Sequence, residues 1–157
     1  MPTIYHEIVI NAPITTCFDL SRDVTVHTQT VAHTKEKIIS HHPSPLLEKG
    51  DIVTFEAIHF CIRQKLTAKV IQMEKPYSFT DEMIKGAFKS LRHIHEFKQV
   101  ETGTLMIDKL TFESPLGKVG DIANVLFLEK YMEKFIAYRA RKLKKMAENN
   151  STDRGMT

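Results

Sequence analysis

Cysteine is scarce in this chain: 157 residues hold only Cys17 and Cys61. Two thiols are too few for a disulfide framework or a cysteine-based zinc cluster, and they fit a reduced, cytoplasmic protein. No apolar run approaches the roughly 20 residues needed to span a bilayer, so no stable membrane insertion is expected. The opening MPTIYHEIVINAPI has no basic stretch followed by an unbroken apolar one, and no secretory signal is expected. Internal repeats and linkers are also missing. No Ser or Cys lies in a recognisable nucleophile motif, which argues against acyl-enzyme chemistry. Hydrophobic residues at 42% and charged residues at 26% match an ordinary globular chain and exclude disorder. The length suits one domain, read as residues 1–148 with a polar tail at 149–157.

The net charge of +3 is unevenly placed. Arg139, Arg141, Lys142, Lys144 and Lys145 crowd the last helical stretch, and the rest of the chain is close to neutral. Such a run reads first as a solvated face that complements the negative end of a helix dipole, so nucleic acid is not expected as a partner.

Along the chain, Ile4–Ile10 alternates as a strand does. Pro13 suits a helix start, and Ile14–Leu20 reads as a short helix with Cys17, Phe18 and Leu20 inward. Val24–Ala32 reads as a second short helix and Thr34–Ser40 as a short strand. His41 and His42 fall in a loop closed by Pro43 and Pro45, where solvent exposure is expected. From Gly50 the pattern is β: Asp51–Phe60, Arg63–Met73, Tyr77–Ile84, Leu91–Val100 and Thr104–Phe112. The short connections between them, tightest at Cys61-Ile62, imply an antiparallel meander. Apolar residues then recur at helical spacing from Lys118 to about Ala147, a helix on the order of 40 Å long. The sum is an α+β domain in which this helix covers the apolar face of the sheet.

Charged positions fix which way each strand faces. Glu56 marks an outer face, leaving Val53, Phe55, Ala57 and His59 inward. Arg63, Lys65 and Lys69 leave Ile62, Gln64, Leu66, Ala68 and Val70 inward. Arg92, Glu96 and Lys98 leave Leu91, His93, His95 and Phe97. Lys109 leaves Met106, Asp108, Leu110 and Phe112. Asp81 and Glu82 compete for one inward place. The inner face is thus apolar but dotted with His59, Gln64, His93, His95 and Asp108. Unpartnered buried polar groups cost about 1–3 kcal/mol each, so such a set needs mutual bonds, water or a ligand. Three chemistries fit: zinc held by His93 and His95 with His59 or Asp108; His95 as a base oriented by Asp108; or polar groups that only orient a bound amphipathic molecule. The last asks least, and no metal or cofactor is called for.

Several stretches together resemble the START-like superfamily of plant Bet v 1-type proteins, polyketide cyclases and lipid-transfer domains. They are Pro13-Ile14 with Phe18-Asp19-Leu20-Ser21-Arg22; Gly50-Asp51 through Phe55; His59-Phe60 with Arg63-Gln64-Lys65-Leu66-Thr67; Phe79-Thr80-Asp81-Glu82-Met83 with Lys85-Gly86-Ala87-Phe88; His93-Ile94-His95-Glu96-Phe97; Gly103-Thr104-Leu105-Met106 with Asp108; and Ser114-Pro115-Leu116-Gly117. The resemblance runs from Ile4 to about Lys144 and is nearest to a bacterial subgroup of small single-domain proteins. Phe55 and Cys61 stand where related chains have Trp and Gly. It implies a helix-grip fold: a seven-stranded antiparallel sheet wrapped round a long C-terminal helix, with two short helices at one end. It also implies a cavity for a hydrophobic small molecule. On this reading Phe55, Leu66, Phe97, Met106, Leu110, Phe112, Met132 and Phe135 form apolar walls. His59, Gln64, His93, His95 and Asp108 orient the ligand. The superfamily holds carriers and enzymes, so a cyclase or dehydratase using His93 or His95 as base stands as the alternative. A homodimer is left open.

Overall fold

The computed structural model describes residues 2–40, 44–114 and 122–155. Strand β1 (Thr3–Ile10) leads into helices α1 (Ile14–Arg22) and α2 (Val24–Thr30), a 3-10 turn (Ala32–Thr34) and the two-residue strand β2 (Lys37–Ile38). The meander follows: β3 (Ile52–His59), β4 (Ile62–Glu74), β5 (Ser78–Lys85), β6 (Ser90–Val100) and β7 (Gly103–Glu113). Helix α3 spans Ile122–Gly155. The seven strands form one sheet in the order β1-β7-β6-β5-β4-β3-β2, and every pair is antiparallel.

Local chemistry explains the breaks. Pro13 is the N-cap residue of α1. Asp23 ends α1 and caps α2, its carboxylate accepting from the backbone N–H of Thr25 at 2.9 Å and of Val26 at 3.1 Å. The second helix stops at Thr30 rather than Ala32, and the strand expected over Thr34–Ser40 shrinks to Lys37–Ile38. At the other end α3 continues through 149–155, read from sequence as a frayed tail. The expected exposure of His41 and His42, and the helix start at Lys118, lie outside the described residues.

Three apolar clusters bind the layers together. In the first, Ala140, Leu143 and Ala147 of α3 meet Phe18 of α1 and Phe79, Phe97 and Met106 of the sheet. The second sets Ile136 against Ile4, Leu91, Leu110 and Phe112. The third joins Val24 and Leu47 to Val53, Phe55 and Val70. Ile62, expected inward, lies at a strand end and is exposed. Glu56 keeps its outward place, paired to Lys37 and Lys65 in the ladders, but is nearly covered and bonded to Arg63 at 3.0 Å.

The β3–β4 hairpin turns on Phe60 and Cys61, at φ 54° and 62°. This two-residue turn with both φ positive ordinarily takes Asn-Gly, because a Cβ crowds the carbonyl there. Cys61→Gly is therefore expected to raise unfolding free energy by about 0.5–1 kcal/mol in a urea titration. A lower value would show that the thiol makes a compensating contact.

Candidate functional site

A β-bulge decides which acidic residue of β5 looks inward. Val70 pairs with Asp81 and Gln72 with Thr80, so Ile71 is the extra residue on β4. The inward row passes from Leu66, Ala68 and Val70 to Met73, and Phe79 and Asp81 stay opposite it. Glu82 points away and pairs with Arg92 at 3.5 Å.

The register of the next two strands completes a polar patch. Asp81 lies across from His93, and His95 lies across from both Phe79 and Asp108. The short bonds run diagonally, within the reach of long side chains on neighbouring strands. His93 Nε2 stands 2.8 Å from Asp108 Oδ1, and His95 Nε2 stands 2.9 Å from Asp81 Oδ2. An ionised carboxylate only accepts, so both Nε2 atoms carry hydrogen. His95 Nδ1 also approaches Asp108 Oδ1, at 3.4 Å. The two imidazoles stack with centroids 3.7 Å apart, and Phe79 stacks on the far face of His95 at 4.1 Å.

These contacts split the two histidines. Burial pushes His93 down to about 4, helped by the charge on His95. Burial acts the same way on His95, but its contacts with Asp108 and Asp81 outweigh it and hold the pKa above the usual 6.5. Burial likewise opposes ionisation of both carboxyls, and the imidazoles overcome it: Asp81 is lowered and Asp108 is held well below its ordinary value. His95 is therefore the more readily protonated of the two.

Helix α3 supplies a fifth member of the cluster. Arg139 is 2% exposed, and its guanidinium lies 3.7 Å from Asp108 Oδ1. From sequence it belonged to a solvated basic run, and burial corrects that. The signal was present: Met132, Ile136, Arg139 and Leu143 share one face at helical spacing.

A pocket of about 120 Å³ opens between sheet and helix beside this cluster. Phe55, Leu66, Leu110, Met132 and Phe135 border it on the apolar side; His93, His95, Asp81 and Arg139 border it on the polar side. Ser21, Arg22, Asp23 and His27 close the end under α1 and α2, contributors that the strand pattern did not reveal. The other predicted residues stand elsewhere. Phe97 and Met106 pack in the first apolar cluster, and Phe112 in the second. Asp108 lies beneath the imidazoles, 1% exposed. Gln64, opposite Ala57, is half-buried away from the pocket. His59 bonds Tyr131 Oη through Nδ1 at 2.6 Å and meets Phe135 edge-on at 5.6 Å, and its pKa is lowered by burial.

Asp81, His93 and His95 each offer one ligand atom, all within 4.8 Å of one another. A divalent ion there would have to displace the carboxylate bonds that both imidazoles already make. It would also sit near the fixed positive charge of Arg139. The set is better matched to hydrogen bonding than to metal binding.

No family model matches the sequence, and the search of curated proteins finds no relative. Solved structures do resemble the fold. TTHA0849 from Thermus thermophilus superposes with a TM-score of 0.76 at 15% identity, over 96% of this chain and 99% of that one. Ara h 8.0201 gives 0.68 at 10%, over 93% and 97%. Major latex-like protein 151 from Panax ginseng gives 0.65 at 12%, over 93% and 97%. The fold is a helix grip. The helix-grip neighbours include Bet v 1-like proteins, in line with the START-like resemblance of the sequence.

The split of the histidines is measurable. In an NMR titration, with His93→Gln for assignment, the resonance of His95 is expected to titrate above 6.5 and that of His93 near 4. Two ordinary titrations near 6.5 would contradict the network. Between 6.5 and about 4 the unfolded chain binds a proton at residue 93 that the folded chain refuses. Stability should thus drop as the pH is lowered through that window, by on the order of 3 kcal/mol from this group. Asp108→Ala leaves Arg139 and His95 without their shared anion, and a loss of about 3–5 kcal/mol is expected in thermal or urea unfolding.

Proposed function

We propose that this helix-grip protein binds a small hydrophobic or aromatic molecule in the pocket between the sheet and α3. The observation that carries the reading is the composition of the pocket wall: hydrocarbon and aromatic rings on one side, and a cluster of imidazole, carboxylate and guanidinium on the other. That division fits an occupant with an apolar body and a polar end. The helix-grip neighbours support a ligand-binding fold in general. A volume of about 120 Å³ is of the same order as cavities near 150 Å³ that admit benzene, so a single ring matches it.

In this reading Phe55, Leu66, Leu110, Met132 and Phe135 hold the ring, and His93 and His95 face its polar end. The cluster that fixes the imidazoles also locks their rotamers, so the polar wall is set before any ligand arrives. Ala68 borders the same space and is buried. Ala68→Leu puts three further carbons there, at a stability cost of about 1–3 kcal/mol. Toluene binding, followed by NMR shifts, is expected to weaken at least tenfold in this variant. Unchanged affinity would place the toluene site elsewhere and overturn the reading. Native mass spectrometry followed by denaturing extraction should release a ring-sized compound where one co-purifies.

A further inference from the structure

Arg139 is a buried cation, and most of its donors are unused among the described residues. Its Nη2 donates to the carbonyl of Ser21 at a long 3.4 Å. Its Nη1 is at ion-pair distance from Asp108, 3.7 Å, beyond a hydrogen bond. Its Nε is buried and has no partner among the described residues. A guanidinium carries five N–H donors in a planar fork, and so buried a group ordinarily satisfies nearly all of them. Asp108 cannot absorb them. Its Oδ1 already accepts from His93 at 2.8 Å and is approached by His95 at 3.4 Å, while its Oδ2 is buried without a partner among the described residues. The carboxylate is turned to the imidazoles, and the guanidinium is left bordering the pocket.

We infer that the pocket takes a ring-sized carboxylic acid, whose carboxylate is received by the guanidinium of Arg139 while the ring lies among Phe55, Leu66, Met132 and Phe135. The inference rests on the ligand-binding reading above and narrows it to one substrate class. The planar fork of arginine matches the two oxygens of a carboxylate, which a lone ammonium or imidazole does not. A volume of about 120 Å³ suits a ring-sized acid better than a long acyl chain.

Benzoate and toluene share a ring and differ in the carboxylate, so they separate this inference from the reading beneath it. In calorimetric or NMR titration of the intact protein at neutral pH, benzoate is expected to bind at least tenfold more tightly than toluene. Arg139→Met should abolish that preference by weakening benzoate at least tenfold more than it weakens toluene. Arg139→Lys keeps the charge without the fork and should restore only part of the preference. A merely structural role for Arg139 would weaken both probes together. The double variant R139M/D108N removes both buried charges and serves where R139M alone does not fold; it too should bind benzoate no better than toluene. Toluene binding with benzoate equal or weaker in the unmodified protein overturns this inference and leaves the pocket reading standing. Failure of both probes to bind overturns both.

Discussion

A carboxylate that is 1% exposed sets the terms for much of this interior. Removing an anion from water costs several kcal/mol even after relaxation, and Asp108 recovers that only because positive or hydrogen-bearing groups reach it from two layers. His93 and His95 come from the adjacent strand, and Arg139 comes from the helix above. The β6–β7 register is held correspondingly tightly. A slip of one residue would turn Asp108 to the outer face and bring Lys109 in. On the outer face Lys109 is already committed to Glu96 at 2.7 Å, so both faces of the ladder oppose the slip.

The polar cluster also organises the hydrocarbon around it. Along β7 it falls between Met106, which belongs to one apolar cluster, and Leu110, which belongs to another. Helix α3 repeats the sequence of environments: Ile136 for the second cluster, Arg139 for the carboxylate, then Ala140 and Leu143 for the first. Sheet and helix are thus matched position by position, with a charge between two oily contacts on each. The pocket forms at that junction, where packing changes from side chains that interdigitate to side chains that bond in fixed directions.

Much of this was legible because charged residues on a strand declare its outer face. Lys65, Arg92, Glu96 and Lys109 were enough to turn Leu66, His93, His95, Asp108 and Leu110 inward. Period two says nothing about depth along a strand, however. Phe97, Met106 and Phe112 face the same way as the pocket residues but pack in the apolar clusters beside the pocket. Asp81 and Glu82 could not be separated, because Ile71 shifts the phase of the neighbouring strand and a bulge leaves no mark in composition. Arg139 was hidden by its neighbours: four exposed or half-exposed basic residues follow it or lie one turn on, and charge alone reads them as one face. The helix beyond Ala147 was missed for a related reason. Residues 149–155 have no apolar stripe, the feature by which a helix is recognised in sequence.

The buried arginine bears on more than the pocket. An α-helix packed by hydrocarbon alone has neighbouring arrangements of similar energy, since one apolar side chain replaces another. Advancing α3 by one residue means a shift of about 1.5 Å and a turn of about 100°. That motion would carry Arg139 off the Asp108 site and into the aliphatic surface of Ile136 or Leu143. It would leave one buried charge unpaired on each layer, a penalty larger than any single hydrocarbon contact here supplies. The same residue that the pocket leaves under-bonded therefore fixes how the helix is rotated.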